Sequence, residues 1–234
     1  GFCLPRFISW EEPPPQPPEV SAGTPLAKPK EFPLTRGGYF QDILLKIREG
    51  RQPVQVLMTY KANPVYSQPD CDANKKILQD EKLIPFYIAI DTHVTESSVF
   101  ADLLLPEATY LERLEIESPP ALEMIPFISI RQPVVKPLGE SVAFMDMLIE
   151  LAGRMGPDME KYFSYGSAED YWTAVLSKFP ALVGAGGMDY LREHGWWMES
   201  RAKREYQAYL KKGFATPSGK LEIYSPKMEA AGYS

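Results

Sequence analysis

The chain has 234 residues, 44% of them apolar, enough for one large domain or two small ones with a buried core. Its 31 acidic side chains outnumber 25 basic ones, for a net charge of -6, and no long basic run offers a footing for nucleic acid or an anionic membrane surface. No stretch approaches the roughly 18–20 uninterrupted apolar residues of a membrane span.

Proline is the first anomaly. There are 23, and nine fall between Pro5 and Pro33. The run Pro13-Pro14-Pro15-Gln16-Pro17-Pro18 lacks amide donors and has fixed φ, so it is neither helix nor central strand. It is expected to be extended, as a linker or a segment laid against a larger body, with a ligand for a proline-binding module as the sharper alternative. Residues 1–38 are therefore expected to be irregular. The first residue is Gly1 and no basic-then-apolar leader follows, so export cannot be judged from this end. Cys3 and Cys71 lie far apart and no CxxC occurs. They read as unpaired thiols, with a disulfide left open, and with His93 and His194 they lack metal-site spacing.

From Tyr39 the pattern becomes regular. Phe40, Ile43, Leu44 and Ile47 mark one helical face that ends near Gly50. Val54–Tyr60 is a β-rich run, broken by Asn63-Pro64. Asp72–Lys82 predicts a helix capped by Asp70 or Asp72. Ile84–Ile90 predicts a second strand ending at Asp91, then a short helix over Thr95–Phe100. Leu103–Leu105 is a brief third strand stopped by Pro106. This alternation is the βαβ signature of a parallel sheet, and continuous apolar strands suggest burial on both faces. Phe127–Val135 predicts a strand closed by Pro133. Ser141–Met155 carries the clearest helical stripe, Phe144, Met147, Leu148, Leu151 and Met155, with Gly156-Pro157 as the stop. Helices are expected over Tyr171–Phe179 and Met188–Glu193. Tyr171, Trp172, Trp196 and Trp197 are expected to pack in a core or between domains. The predicted fold class is α/β, a layered domain with a mainly parallel sheet, an irregular Pro-rich segment before it and a helical region after it. The segments are 1–38, 39–156 and 157–234.

Residues with chemistry gather at the ends of elements: Lys61-Ala62-Asn63-Pro64, Asp91 through Ser97, Ala101-Asp102 through Glu107 with Glu112-Arg113, and Thr216 through Glu222. In an open parallel sheet, ligands bind beyond the carboxyl ends of the strands. Asn63 and Asp91 occupy such ends. A carboxylate can accept two parallel hydrogen bonds, which suits the N–H and NH₂ edge of a guanine. Thr95 and Ser97 stand near a helix start, where hydroxyls cap and can also reach a ligand. The plainer reading makes Asp91 a turn residue and Thr95 a cap. No glycine-rich fingerprint follows either strand, which argues against nicotinamide dinucleotides. His93 and His194 read as a wall residue and a helix end, and Lys211-Lys212-Gly213 as a solvated helix end. Glu112-Arg113 suggests an internal ion pair. Glu115 and Glu117 are the right types for acid–base chemistry, with nothing to fix their mutual geometry.

Taken in order, Asn63-Pro64, Asp91-Thr92-His93-Val94-Thr95-Glu96-Ser97, Ala101-Asp102 and Leu105-Pro106-Glu107 resemble the molybdopterin oxidoreductases of the dimethyl-sulfoxide-reductase family. Ser97 replaces a second Thr of that pattern, and Lys61 stands where many members have glycine. Phe214–Tyr224 resembles the segment leading into the family's C-terminal β-barrel. Leu105–Arg113 and Arg131–Ser141 look most like polysulfide and thiosulfate reductase catalytic subunits, with tetrathionate and arsenate enzymes also similar.

The resemblance implies a segment of a catalytic subunit that carries molybdopterin guanine dinucleotide with Mo or W and reduces a sulfur compound such as polysulfide or thiosulfate. By position, Asp91 and Thr95 match residues that contact one guanosine end, and Asn63 and Ser97 are further candidates. The metal's protein ligand and an iron–sulfur cluster would belong to upstream sequence, so this segment alone is expected to hold no metal and to be inactive. Implied partners are the rest of its own subunit, an iron–sulfur electron-transfer subunit and a membrane anchor subunit, in a periplasmic or outward-facing complex. A non-catalytic scaffold or electron-transfer subunit that kept the fold and lost the metal is one alternative, and a plain nucleotide-binding module is another.

Overall fold

A computed structural model of the chain describes residues 42–118, 127–198 and 207–233. The Pro-rich segment 1–38, Cys3 and the expected helix start at Phe40 lie outside the described residues. Two compact units result. Residues 42–107 and 221–233 make one; 108–118, 127–198 and 207–220 make the other. The division falls at Glu107–Ala108, inside the 39–156 stretch taken from sequence as one segment.

The first unit is built on a parallel sheet of three strands, β1 (Leu57–Tyr60), β2 (Tyr87–Asp91) and β3 (Leu103–Pro106), with β2 in the middle. Leu57 pairs with Tyr87 and Asp91 with Pro106. Helices α1 (Ile43–Arg48), α2 (Pro64–Ser67) and α3 (Cys71–Leu78) supply the rest. Leu44 and Ile47 of α1, Ile77 and Leu78 of α3, and Tyr87 and Ala89 of β2 close over one core. The predicted strand and helix order is therefore present, with shifted ends. β2 starts at Tyr87 rather than Ile84 because Pro85 has no N–H for the ladder. β1 starts at Leu57, whose amide reaches back to the Phe86 carbonyl at 2.9 Å. The α3 N-cap is Asp70, which accepts from the Ala73 amide at 3.3 Å. Burial on both faces holds for the middle strand only: Met58, Leu103 and Leu104 on the outer strands are each about two-fifths exposed.

The second unit carries an antiparallel sheet, β4 (Glu115–Glu117), β5 (Phe127–Arg131) and β6 (Trp196–Met198), in that order. Around it run α4 (Phe144–Met155), α5 (Pro157–Glu160), α6 (Ala168–Leu176), α7 (Pro180–Ala185), α8 (Gly187–His194) and α9 (Ala208–Lys212). A last helix, α10 (Pro226–Ala230), returns to the first unit. Ile116, Ile128, Leu176, Leu182 and Leu191 form the second core, with Trp172 and Trp197 packed against it. Tyr171 meets Trp172 edge to face at 5.0 Å, whereas Trp196 is half exposed. β4 and β6 were not foreseen. Each is three residues long, too short for a period-two pattern to register. Gly156 ends α4 at φ 99° and Gly195 ends α8 at φ 79°, conformations that suit a residue without Cβ.

Candidate functional site

The carboxyl end of the parallel sheet holds three residues at one level. The Lys61 amide donates to the Ile90 carbonyl at 3.0 Å, and the Glu107 amide to the Asp91 carbonyl at 3.0 Å. Lys61, Asp91 and Glu107 thus leave three neighbouring strands side by side.

Glu107 is the buried member, its side chain wholly shielded. Tyr60 Oη donates to Glu107 Oε1 at 2.6 Å, and Lys61 Nζ lies 2.9 Å from Oε2. The same ammonium sits 5.0 Å from the centre of the Tyr60 ring. Asp91 is different. Its Oδ1 accepts from the Thr92 amide at 2.8 Å, with His93 Nδ1 at 3.9 Å, and its side chain is 9% exposed. Oδ2 accepts no hydrogen bond among the described residues. His93 is 74% exposed, with its Nδ1 3.1 Å from the Thr92 hydroxyl.

Beside this row runs a second network. Ser97 is fully buried. Its hydroxyl accepts from the Val65 amide at 2.9 Å and donates to Asn63 Oδ1 at 2.6 Å. Asn63 Nδ2 then donates to Glu96 Oε2 at 2.6 Å. The amide orientation follows from its neighbours, because a carboxylate only accepts and the Ser97 hydrogen must go to an acceptor. The Glu96 amide itself, and then Asn63, hold the Glu96 carboxyl below the usual range. Thr95 and Ser98 clasp each other at the start of the 3-10 turn Ser98–Phe100. The Thr95 amide donates to Ser98 Oγ at 2.7 Å and the Ser98 amide to Thr95 Oγ1 at 3.2 Å. The Thr95 hydroxyl keeps its own hydrogen for another acceptor.

The structure therefore brings Asn63 and Ser97 together in one brace, with Asp91 and Thr95 outside it. Glu96, Tyr60 and the buried role of Glu107 were not read from sequence. A charged residue just past a strand-ending proline was the available signal. Asp102 lies at the opposite edge of the sheet, where its Oδ2 accepts from the Tyr87 amide at 2.7 Å. It pins the start of β2, away from Asp91. Two readings need correction. Glu115 and Glu117 are not an acid–base pair: Glu115 bonds Arg113 and Arg131, and Glu117 bonds Arg131. Glu112 does not pair with Arg113 either. It accepts from the Thr109 amide at 2.7 Å and the Leu138 amide at 2.9 Å. Burial pushes the Tyr87 hydroxyl up, with the Asp91 charge as a lesser contribution, while its bond to Thr59 opposes them. Among the described residues no group of three or more His, Cys, Asp or Glu could hold a metal, and no helix is long and apolar enough to cross a membrane. Cys71 is a free thiol.

In open α/β sheets, ligands bind beyond the carboxyl ends of the strands. The family model described as molybdopterin oxidoreductase matches residues 38–154, and the chain belongs to that family. It is 28% identical over 185 residues to dimethyl sulfoxide reductase DmsA of Escherichia coli, covering 74% of this chain and 22% of that protein. It is 26% identical over 216 residues to the thiosulfate reductase molybdopterin-containing subunit PhsA of Salmonella typhimurium, covering 82% of this chain and 27% of that protein. The solved structure of acetylene hydratase from Pelobacter acetylenicus superposes with a TM-score of 0.58 at 26% identity, covering 81% of this chain and 24% of that one. The chain thus spans about a quarter of the length of these relatives.

Proposed function

We propose that this chain is the segment of a molybdenum or tungsten oxidoreductase that holds one guanosine end of a bis-pterin guanine dinucleotide cofactor. The carrying observation is Asp91: a nearly buried carboxylate at the end of the middle strand, with one oxygen that no described protein donor takes. The guanine N1–H and N2–H₂ edge offers only donors, and a carboxylate offers only acceptors, so the donor set fits. Thr95 would add a hydroxyl hydrogen. Asn63 and Ser97 would act from behind, since their polar atoms already serve the brace.

Bound in the parent protein, the metal would change oxidation state as a substrate gains or loses oxygen or sulfur. A sulfur compound, polysulfide or thiosulfate, is the proposed substrate. Support comes from Leu105–Arg113 and Arg131–Ser141 and from the likeness to the thiosulfate reductase subunit. An iron–sulfur cluster in the same subunit, an iron–sulfur partner subunit, a membrane anchor and a periplasmic or outward-facing location belong to the same proposal.

The test is Asp91→Asn in the full-length protein. Asn can keep the Thr92 bond through its oxygen, while its NH₂ takes the outer position and faces the guanine donors. The mismatch should cost on the order of 2–4 kcal/mol, about 30- to 1000-fold in affinity. Guanine nucleotide released from purified, acid-denatured protein is the readout. Full loading that survives dilution would sink the assignment.

A further inference from the structure

Lys61 has φ 48°, one of three described non-glycine residues with positive φ. An L side chain is strained there and glycine is not. Its ammonium meets the buried Glu107 carboxylate at 2.9 Å and lies 5.0 Å from the centre of the Tyr60 ring. Tyr60 and Lys61 end β1, and Glu107 follows β3. The contact therefore joins the two outer strands across the end of β2, where Asp91 stands. A side chain that merely filled a turn would not be placed in a strained backbone to meet a wholly shielded carboxylate.

Charge argues against Lys61 as a phosphate ligand. Asp91, Glu96 and Glu107 gather at this edge, and the lysine is already paired with one of them. Removing it would take from the shielded Glu107 carboxylate a cation that stands 2.9 Å away, and losing one member of such a pair is unfavourable.

We propose that Lys61 is a positioning residue for the guanosine end: it clamps the ends of β1 and β3 through Glu107 and so fixes the edge from which Asp91 faces the base. The proposal rests on the guanosine reading above. Lys61 touches Glu107 and Tyr60, and acts on the nucleotide only through them.

The experiment uses full-length protein with Lys61→Gly, Lys61→Arg, Glu107→Gln and the Lys61→Gly/Glu107→Gln pair. Bound guanine nucleotide after dilution and the thermal midpoint are both measured. Glycine relieves the backbone, so a residue without a further role would gain midpoint and keep its nucleotide. The clamp predicts the reverse: Lys61→Gly lowers the midpoint and loses nucleotide about tenfold faster, the scale of one lost charged partner. Lys61→Arg, which keeps the cation, should restore retention. In the Glu107→Gln background, Lys61→Gly should cost nothing or raise the midpoint. Lys61→Gly protein as well loaded as wild type overturns the proposal, as does an equal cost in both backgrounds. If Lys61→Gly does not accumulate folded, Lys61→Arg decides: retained nucleotide supports the clamp, and loss overturns it. A wild-type protein that releases no guanine nucleotide overturns the guanosine reading and this proposal together. A loaded wild type with an equally loaded Lys61→Gly overturns this proposal alone.

Discussion

Ser97→Ala probes the brace behind the site. The serine oxygen is fully buried and serves two groups, the Val65 amide at 2.9 Å and Asn63 Oδ1 at 2.6 Å. Val65 is itself fully buried, so its N–H would lose its partner without gaining water. An orphaned donor of that kind costs about 1–3 kcal/mol. Asn63 is only partly buried and can turn its oxygen to solvent, so its share is nearer the net value of an ordinary bond, about 0.5–1.5 kcal/mol. The void left by one oxygen is too small to admit a bridging water. Together these give about 1.5–4.5 kcal/mol. Because the effect is local, hydrogen exchange is the assay: peptides over 63–67 in full-length protein should exchange about 10- to 2000-fold faster. Ser97→Thr keeps the hydroxyl and separates bonding from packing. Unchanged protection in Ser97→Ala would refute the reasoning, because it would mean that Val65 has another acceptor and that the brace does not hold the loop.

Two further outcomes are expected. The Thr109 amide, then the Thr109 hydroxyl, then the Leu138 amide hold Glu112 below its ordinary value of 4.5, so its contribution to stability is complete above that pH and is lost as pH falls through the lower folded value. Thermal midpoints measured across acid pH should therefore fall more steeply for wild type than for Glu112→Gln, and parallel curves would count against it. Asp102→Ala removes the acceptor of the Tyr87 amide and should cost about 1–2 kcal/mol in chemical denaturation, yet leave guanine nucleotide content untouched, since Asp102 lies at the far edge of the sheet; nucleotide loss at unchanged stability would contradict that placement.

The parallel sheet was legible because three apolar runs, each followed by a breaker, are separated by helical spacing. Asn63-Pro64, Asp91 and Pro106 mark the ends of β1, β2 and β3. Their lateral arrangement was not legible. That Lys61 and Glu107 meet depends on β2 lying between β1 and β3 and on one residue's φ, neither of which any local pattern encodes. The place of Asp102 was hidden for a related reason. It is adjacent in sequence to residues that run to the carboxyl edge, but four residues of strand carry the chain from one edge to the other. The antiparallel sheet escaped because β4 and β6 are closed by partners far along the chain. Ile128 pairs with Trp197, and a Trp-Trp pair reads as packing until its partner strand is known. Glu115 and Glu117 looked chemical only while Arg131 was out of sight.

Residue type alone also could not separate the four candidate ligands, because all are polar and all sit at or past strand ends. Bond saturation separates them. Ser97 has spent its hydrogen and an acceptor site inside the fold, and Asn63 has spent its oxygen and one amide hydrogen. A ligand could recruit them only by breaking a buried bond, which costs more than one new bond returns. Thr95 has given its oxygen to Ser98 and retains one hydrogen. Asp91 has committed one oxygen to its neighbour's amide and retains the other. Of the four candidates, then, Asp91 keeps one acceptor oxygen and Thr95 one hydroxyl hydrogen, and these two are the groups that the proposed base edge would meet.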